Sequence, residues 1–235
     1  VLQACLNGAR LPADHPRLPV TAQQLAEDAA RVLAAGAEDL HVHPKDPQGR
    51  DTLAPDVVAA TLMAVRAAVP GVPVGVTTGA WTAGPEERAA LVQRWQVLPD
   101  HASVNFHEAA AEQLAASLIT MGVAVDAGLW TGTDGLEVFL RSALGPRCRM
   151  VLVEATEEKP GDAGRAAQEL LAMLPPLTRV LMHGQEATAW PLYRLATELG
   201  ISARMGLEDV LVMPDGSRAA GNWDLVRAAK ALALV

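Results

Sequence analysis

Two histidines separated by a single residue, in Leu40-His41-Val42-His43, are the sharpest chemical feature of this 235-residue chain. Residues two apart on a β-strand project to the same face, so His41 and His43 share one side and Val42 takes the other. Two neutral imidazoles so placed can hold one zinc ion at about 2.0–2.1 Å. A catalytic zinc wants a third protein ligand and an open position. Late in the chain His183 and Glu208 both offer that ligand. Glu208 belongs to Arg204-Met205-Gly206-Leu207-Glu208-Asp209, where the strand period puts Arg204 and Glu208 on one face. Asp209 has the opposite parity and joins them only if the strand ends and the chain bends. A metal holding a carbonyl next to a carboxylate serves enolate and carbon–carbon bond chemistry through Lewis-acid polarisation, and it serves metal-assisted hydrolysis equally well.

The elements that must position these residues alternate strictly. Short apolar runs predict strands at 2–6, 39–43, 72–76, 102–105, 123–126, 149–154, 179–183 and 202–206. Ala-rich amphipathic segments predict helices at 22–35, 54–69, 85–93, 108–121, 133–144, 162–174, 189–199 and 222–234. Thr21 and Thr133 read as N-caps, and Pro85 followed by Glu86 and Glu87 reads as a helix start. Gly36, Gly122, Gly145 and Gly200 read as helix ends. Strict βα alternation implies parallel strands with right-handed crossovers. Eight such units predict an α/β fold, a single (β/α)8 TIM barrel domain over residues 1–235. An open doubly wound sheet is the rival, but no GxGxxG follows the first strand.

Chemistry in such a barrel sits at the C-terminal strand ends. Those ends read Asn7, His41 and His43, Thr77 and Thr78, Ser103 and Asn105, Asp126, Glu154, His183, and Arg204 with Glu208 and Asp209. Pro- and Gly-rich patches at 12–19, 44–49 and 157–164 follow strands one, two and six, on the same side. Closure sets the eighth strand beside the first and the first beside the second, which favours Glu208 over His183 as third ligand. Ser103 and Asn105 read equally as loop caps or substrate contacts. Glu154 is a candidate buried carboxylate of raised pKa. His15, His101 and His107 read as solvated. Of Trp81, Trp130 and Trp190, two are expected to pack helices and one to wall the pocket.

Composition bounds the partners. Nineteen Lys and Arg against 27 Asp and Glu give a net charge of −8, which argues against nucleic acid or an anionic membrane surface. Sixteen of the cations are Arg, so a local pocket for an anionic metabolite stays compatible. Cys5 and Cys148 form no CxxC, which points away from a disulfide framework and towards a reducing cytoplasm. No apolar run approaches the roughly 18 residues of a bilayer span, and residues 1–10 lack a signal-peptide pattern.

Five segments together resemble a known family, and they occur in its order: Asn7-Gly8-Ala9-Arg10, His41-Val42-His43-Pro44-Lys45-Asp46, Ser103-Val104-Asn105, His183-Gly184-Gln185-Glu186 and Arg204-Met205-Gly206-Leu207-Glu208-Asp209. The chain resembles the β-keto acid cleavage enzymes, the family of 3-keto-5-aminohexanoate cleavage enzyme. The resemblance implies one Zn2+ held by His41, His43 and Glu208, and acetyl-CoA as co-substrate. A 3-keto acid and acetyl-CoA would become acetoacetate and a new acyl-CoA. Asp209, oriented by Arg204, would take a proton from acetyl-CoA, and the carbanion would attack the ketone. Thr77, Ala80, Ser103 and Asn105 fall where the family contacts substrate, with Thr77 in place of a Ser and Ala80 in place of a Gly. Arg10 departs from the aminohexanoate enzyme, which has a carboxylate there; a cation should reject an amine and prefer a second carboxylate. The apolar helices and the resemblance also imply a homo-oligomer. The alternatives are a zinc hydrolase on the same scaffold and a non-catalytic barrel that binds a metal or metabolite.

Overall fold

The computed structural model describes residues 1–233. Its strands are β1 (Leu2–Cys5), β2 (Asp39–Val42), β3 (Val74–Thr77), β4 (His101–Asn105), β5 (Ala124–Trp130), β6 (Met150–Ala155), β7 (Val180–Gly184) and β8 (Ser202–Met205). After them in turn come α1 (Ala22–Ala34), α2 (Pro55–Ala68), α3 (Pro85–Gln93), α4 (Ala111–Thr120), α5 (Gly135–Arg141), α6 (Pro160–Met173), α7 (Ala189–Glu198) and α8 (Asn222–Leu232). The strands pair in parallel in sequence order, and β8 returns to β1 to close the barrel. Burial on both faces explains why these strands are near-continuous Val, Leu and Ala runs. The expected last residue of the eighth helix, 234, lies outside the described residues.

The local signals act as anticipated at most ends. Thr21 Oγ1 accepts from Gln24 N–H at 3.2 Å, and Gln24 Oε1 accepts in return from Thr21 N–H at 3.0 Å. Leu25, Ala29 and Val32 then face the core along α1. Three helices begin with proline, α2, α3 and α6, where the missing N–H has no intrahelical partner to lose. At two places the expectation fails. Gly145 does not end a helix: α5 stops at Arg141 and Gly145 starts a short 3-10 turn. Thr133 is not the N-cap of α5, a position held by Asp134.

The largest departure is β5, which runs to Trp130 rather than 126. Ala127 and Gly128 look like a strand end in sequence. In the barrel Gly128 is needed, because a Cβ there would run into Asn105 Oδ1. Asp126 therefore lies low in the barrel, away from the mouth where its place at the strand tip was expected. There Arg149 donates to both its oxygens at 2.7 Å and to Asp39 Oδ2 at 2.7 Å. His101 is inserted between the two carboxylates, with Nδ1 2.7 Å from Asp126 and Nε2 3.1 Å from Asp39. Only a glycine fits beside that ring, at Gly75. His101 is thus a buried ion-pair partner, not a solvated side chain.

This network should make stability depend on pH. Burial would raise Asp39, but contact with His101 and the charge of Arg149 hold it at about 2. Burial would lower His101, but its contacts with Asp126 and Asp39 hold it at about 9. The Asp39 contribution is present above its unfolded pKa near 3.9 and fades as pH falls towards 2; the His101 contribution is present below about 6.5 and fades as pH rises towards 9. The difference in melting temperature between the wild type and His101→Gln is therefore expected to be greatest between about pH 4 and 6.5, and to shrink towards pH 9. A difference that stays flat over pH 6.5–9 would show that His101 is neutral in the fold.

Candidate functional site

The barrel's upper end holds the chemistry. His41, near the end of β2, and His43, just past it, both turn into a cavity of about 420 Å³. Asn7 fixes the second of them: its Nδ2 donates to His43 O at 2.8 Å and its Oδ1 accepts from His43 N at 2.9 Å. β8 ends at Met205, and the chain turns through Gly206 to Asp209 with backbone bonds from Asp209 N and Val210 N to Gly206 O. A Cβ at Gly206 would collide with Cys5 O, and one at Gly8 with Glu208 Cγ, so two glycines let this turn close over β1. The turn brings Glu208 to the histidines and carries Asp209 round as well, the bend its parity required.

His41, His43 and Glu208 each offer one ligand atom, all within 4.8 Å of one another. Glu208 Oε2 lies 4.0 Å from His41 Nε2 and 3.7 Å from His43 Nε2. That oxygen is buried and has no hydrogen-bond partner. Burial drives His41 down to about 3, which keeps its imidazole neutral and able to donate a lone pair. Burial would lower His43 too, yet the Glu208 and Asp51 carboxylates raise it to about 9. Those carboxylates place surplus negative charge at the ring, charge that a divalent cation would balance. Two imidazoles, one carboxylate and an unpaired buried oxygen suit a metal of zinc's preferences.

A second layer sets His43. Its Nδ1 donates to Asp51 Oδ2 at 2.6 Å, and the same oxygen accepts from Trp81 Nε1 at 2.8 Å. Lys45 Nζ donates to Asp51 Oδ1 at 2.6 Å and to Gly8 O at 2.8 Å. Such a carboxylate fixes the tautomer of a ligating histidine and raises its basicity. The role of Asp51 had no sequence signal beyond the Pro- and Gly-rich turn that folds it back onto Lys45.

Arg204 links Glu208 and Asp209. Its Nη2 forms an ion pair with Glu208 Oε1 at 2.9 Å and donates to Asp209 Oδ1 at 2.7 Å. Burial would raise Glu208, but Arg204 and His43 hold it well below the usual carboxylate range. Asp209 is 1% exposed; burial pushes it up to about 7 with Arg204 opposing, and its Oδ2 has no partner. His183 is not part of the triad. Its Nε2 lies 3.4 Å from Glu154 Oε2 and its Nδ1 3.8 Å from Asp209 Oδ1. Burial pushes Glu154 up to about 8, with Asp209 and Glu208 adding to the effect and Arg204 opposing it.

Of the expected substrate contacts, Arg10, Thr77, Ser103 and Asn105 line the cavity. Asn105 is set by Glu108, which accepts from its Nδ2 at 2.9 Å and pairs with the fully buried Arg88 of α3. Ala80 does not line it: it is exposed, because the chain turns at Gly79 and the Trp81 indole takes the wall, stacked on His43 at 6.0 Å. Trp130 is the second aromatic wall, against His107 at 4.6 Å. Only Trp190 packs as a helix contact, donating to Val212 O, so two tryptophans wall the cavity where one was expected. His15 and His107 are not solvated either; His15 is 2% exposed with Nε2 at Ala219 O, and His107 Nδ1 is buried.

A closed parallel barrel with a buried His–His–carboxylate triad at its C-terminal mouth defines a (β/α)8 protein with a candidate metal centre. The beta-keto acid cleavage enzyme family model matches residues 1–142 and 145–234, and the chain belongs to that family. Among solved structures it is similar to ObcA in a binary complex with oxaloacetate, at TM-score 0.73 and 17% identity over 92% of this chain and 63% of ObcA. A ternary complex of ObcA with a C4-CoA adduct and oxalate gives TM-score 0.71, 17% identity and the same coverage. A type I 3-dehydroquinate dehydratase from Clostridium difficile gives TM-score 0.68 at 9% identity, over 99% of this chain and 90% of that one. At these identities the likeness is one of fold. The chain spans less than two thirds of the length of ObcA.

Proposed function

We propose that this chain is a zinc-dependent β-keto acid cleavage enzyme that takes a 3-keto acid and acetyl-CoA to acetoacetate and an acyl-CoA. The observation that carries the reading is the juxtaposition, at one cavity, of the His41–His43–Glu208 triad with Arg204, which holds the buried Asp209 just behind the wall. ObcA, with structures holding oxaloacetate and a C4-CoA adduct, lends support from a protein of the same fold. Zinc held by His41, His43 and Glu208 would supply Lewis-acid polarisation of the substrate's keto oxygen. Asp209, at about 7, is suited to accept the proton from the methyl carbon of acetyl-CoA near neutral pH, through its unpaired Oδ2. Arg204 holds the other oxygen and keeps the carboxylate aimed. The carbanion attacks the ketone, and CoA transfer with retro-Claisen cleavage completes the exchange. Thr77, Ser103 and Asn105 offer hydroxyl and amide groups to the substrate from the opposite wall.

The substrate's far end should carry a carboxylate, because Arg10 reaches the cavity with its guanidinium anchored on Leu207 O and Glu208 O at 2.5 and 3.1 Å. Arg10→Gln is expected to lower kcat/KM for a 3-oxo dicarboxylate about tenfold or more, relative to a neutral 3-keto acid of the same length. An unchanged ratio would remove Arg10 from substrate choice. Among the described residues no helix is long and apolar enough to cross a membrane. A cytoplasmic site, supported by two free cysteines, and a homo-oligomer that covers exposed Met63, Met173 and Leu177 complete the proposal.

The test is a coupled assay of zinc-loaded protein with acetyl-CoA and neutral, amino- and carboxy-terminated 3-keto acids. Acetoacetate formed only when acetyl-CoA is present is the expected result. Turnover without acetyl-CoA would make the protein a hydrolase, and stoichiometric zinc with no turnover a binding protein.

A further inference from the structure

The cation expected to receive the substrate's far carboxylate already holds a carboxylate of the chain. Arg10 Nη2 pairs with Glu186 Oε1 at 2.5 Å, and both residues line the cavity. The two partners are held very differently. Arg10 is tied through Nε to the main chain of the turn bearing Glu208, and its side chain is 17% exposed. Glu186 has a fixed main chain: its N–H donates to Asp209 O at 2.7 Å, and its φ of 48° is a left-handed conformation uncommon outside glycine. Its side chain, however, is 60% exposed and, among the described residues, its ion pair and hydrogen bond are with Arg10 alone. An ion pair with one partner in water adds little stability, so an incoming carboxylate can replace it at small cost. The adjoining cavity is lined by Glu154, Glu157 and Glu158, so a displaced Glu186 finds no cation there to retain it.

We infer that Glu186 is a specificity-determining residue that occupies the Arg10 anion site as a stand-in for the ligand's distal carboxylate and yields to aliphatic dicarboxylates alone. This deepens the proposed function and rests on its reading of Arg10 as an anion-binding group. A ligand ending in a methyl group brings nothing to exchange and leaves the pair closed. A dicarboxylate takes the guanidinium and turns Glu186 outward. Glu186 thus lowers affinity for the dicarboxylate while screening the cation from ligands that cannot pair with it.

The test is binding, independent of turnover: calorimetric Kd values of adipate and hexanoate, equal in chain length, on zinc-loaded wild type, Glu186→Gln and Arg10→Gln. Glu186→Gln is expected to tighten adipate about fivefold and to leave hexanoate within about twofold. Glu158→Gln, which removes a nearby negative charge without touching Arg10, should tighten neither. Unchanged or weaker adipate binding in Glu186→Gln would overturn the inference, as would equal tightening of both acids or an equal gain in Glu158→Gln. Loss of the adipate preference in Arg10→Gln, with no gain in Glu186→Gln, would keep Arg10 as the anion site and reject only the role of Glu186. Absence of acetoacetate in the coupled assay would reject the cleavage reaction without touching these binding constants.

Discussion

Asparagine at position 209 is expected to slow acetoacetate formation about a thousandfold, within the range that removal of a general base costs, while zinc still binds stoichiometrically. The amide oxygen can still accept from Arg204, so the guanidinium keeps its bond to position 209 and its ion pair with Glu208. What is lost is the capacity to take a proton. Asp209 has the setting of a base kept from full ionisation by its surroundings: burial and the neighbouring Glu208 raise it, and Arg204 stops the rise at about 7. The measurement is kcat in the coupled assay, together with zinc content and the melting temperature. If Asp209→Asn keeps activity within about tenfold with zinc bound, the base lies elsewhere. Glu154 would then be the next group to replace, since it lines the cavity and burial holds it at about 8.

The barrel and the grouping of His41, His43 and Glu208 at its mouth were legible because both follow from short-range periodicity. Eight βα units fix the closure, and closure places β8 two strands from β2. A period of two then aims His41 inward and puts Arg204 on the cavity wall. Legibility stopped wherever a residue's environment depends on which strand faces it across the barrel. Asp126 looked like a strand tip because Gly128 looks like a breaker, although that glycine exists to make room for Asn105. His101 looked like a loop histidine because its partners, Asp39 and Asp126, come from β2 and β5. Glu186 could not be paired with Arg10 in sequence, 176 positions away, since only the docking of the post-β7 turn on the post-β8 turn joins them.

Asp51 shows the same limit at greatest functional consequence, and its replacement carries the second large effect. Asp51→Asn is expected to weaken zinc binding about 10- to 100-fold, the usual consequence of removing the carboxylate behind a ligating histidine. The same change also touches folding, because Lys45 has a fully buried side chain whose charge, among the described residues, is paired with Asp51 alone. Breaking one side of a buried pair destabilises by about 3–5 kcal/mol, which alone could weaken binding by unfolding the site. The double variant Lys45→Met, Asp51→Asn separates the two causes. It removes the unpaired charge, so its melting temperature should recover most of the loss, while zinc affinity measured against a chelating dye should stay low. Recovery of zinc affinity along with stability would mean that Asp51 acts by holding the Lys45 loop, and that His43 needs no carboxylate behind it. Weak zinc in a stable protein would place the effect on the 2.6 Å bond from His43 Nδ1 to Asp51.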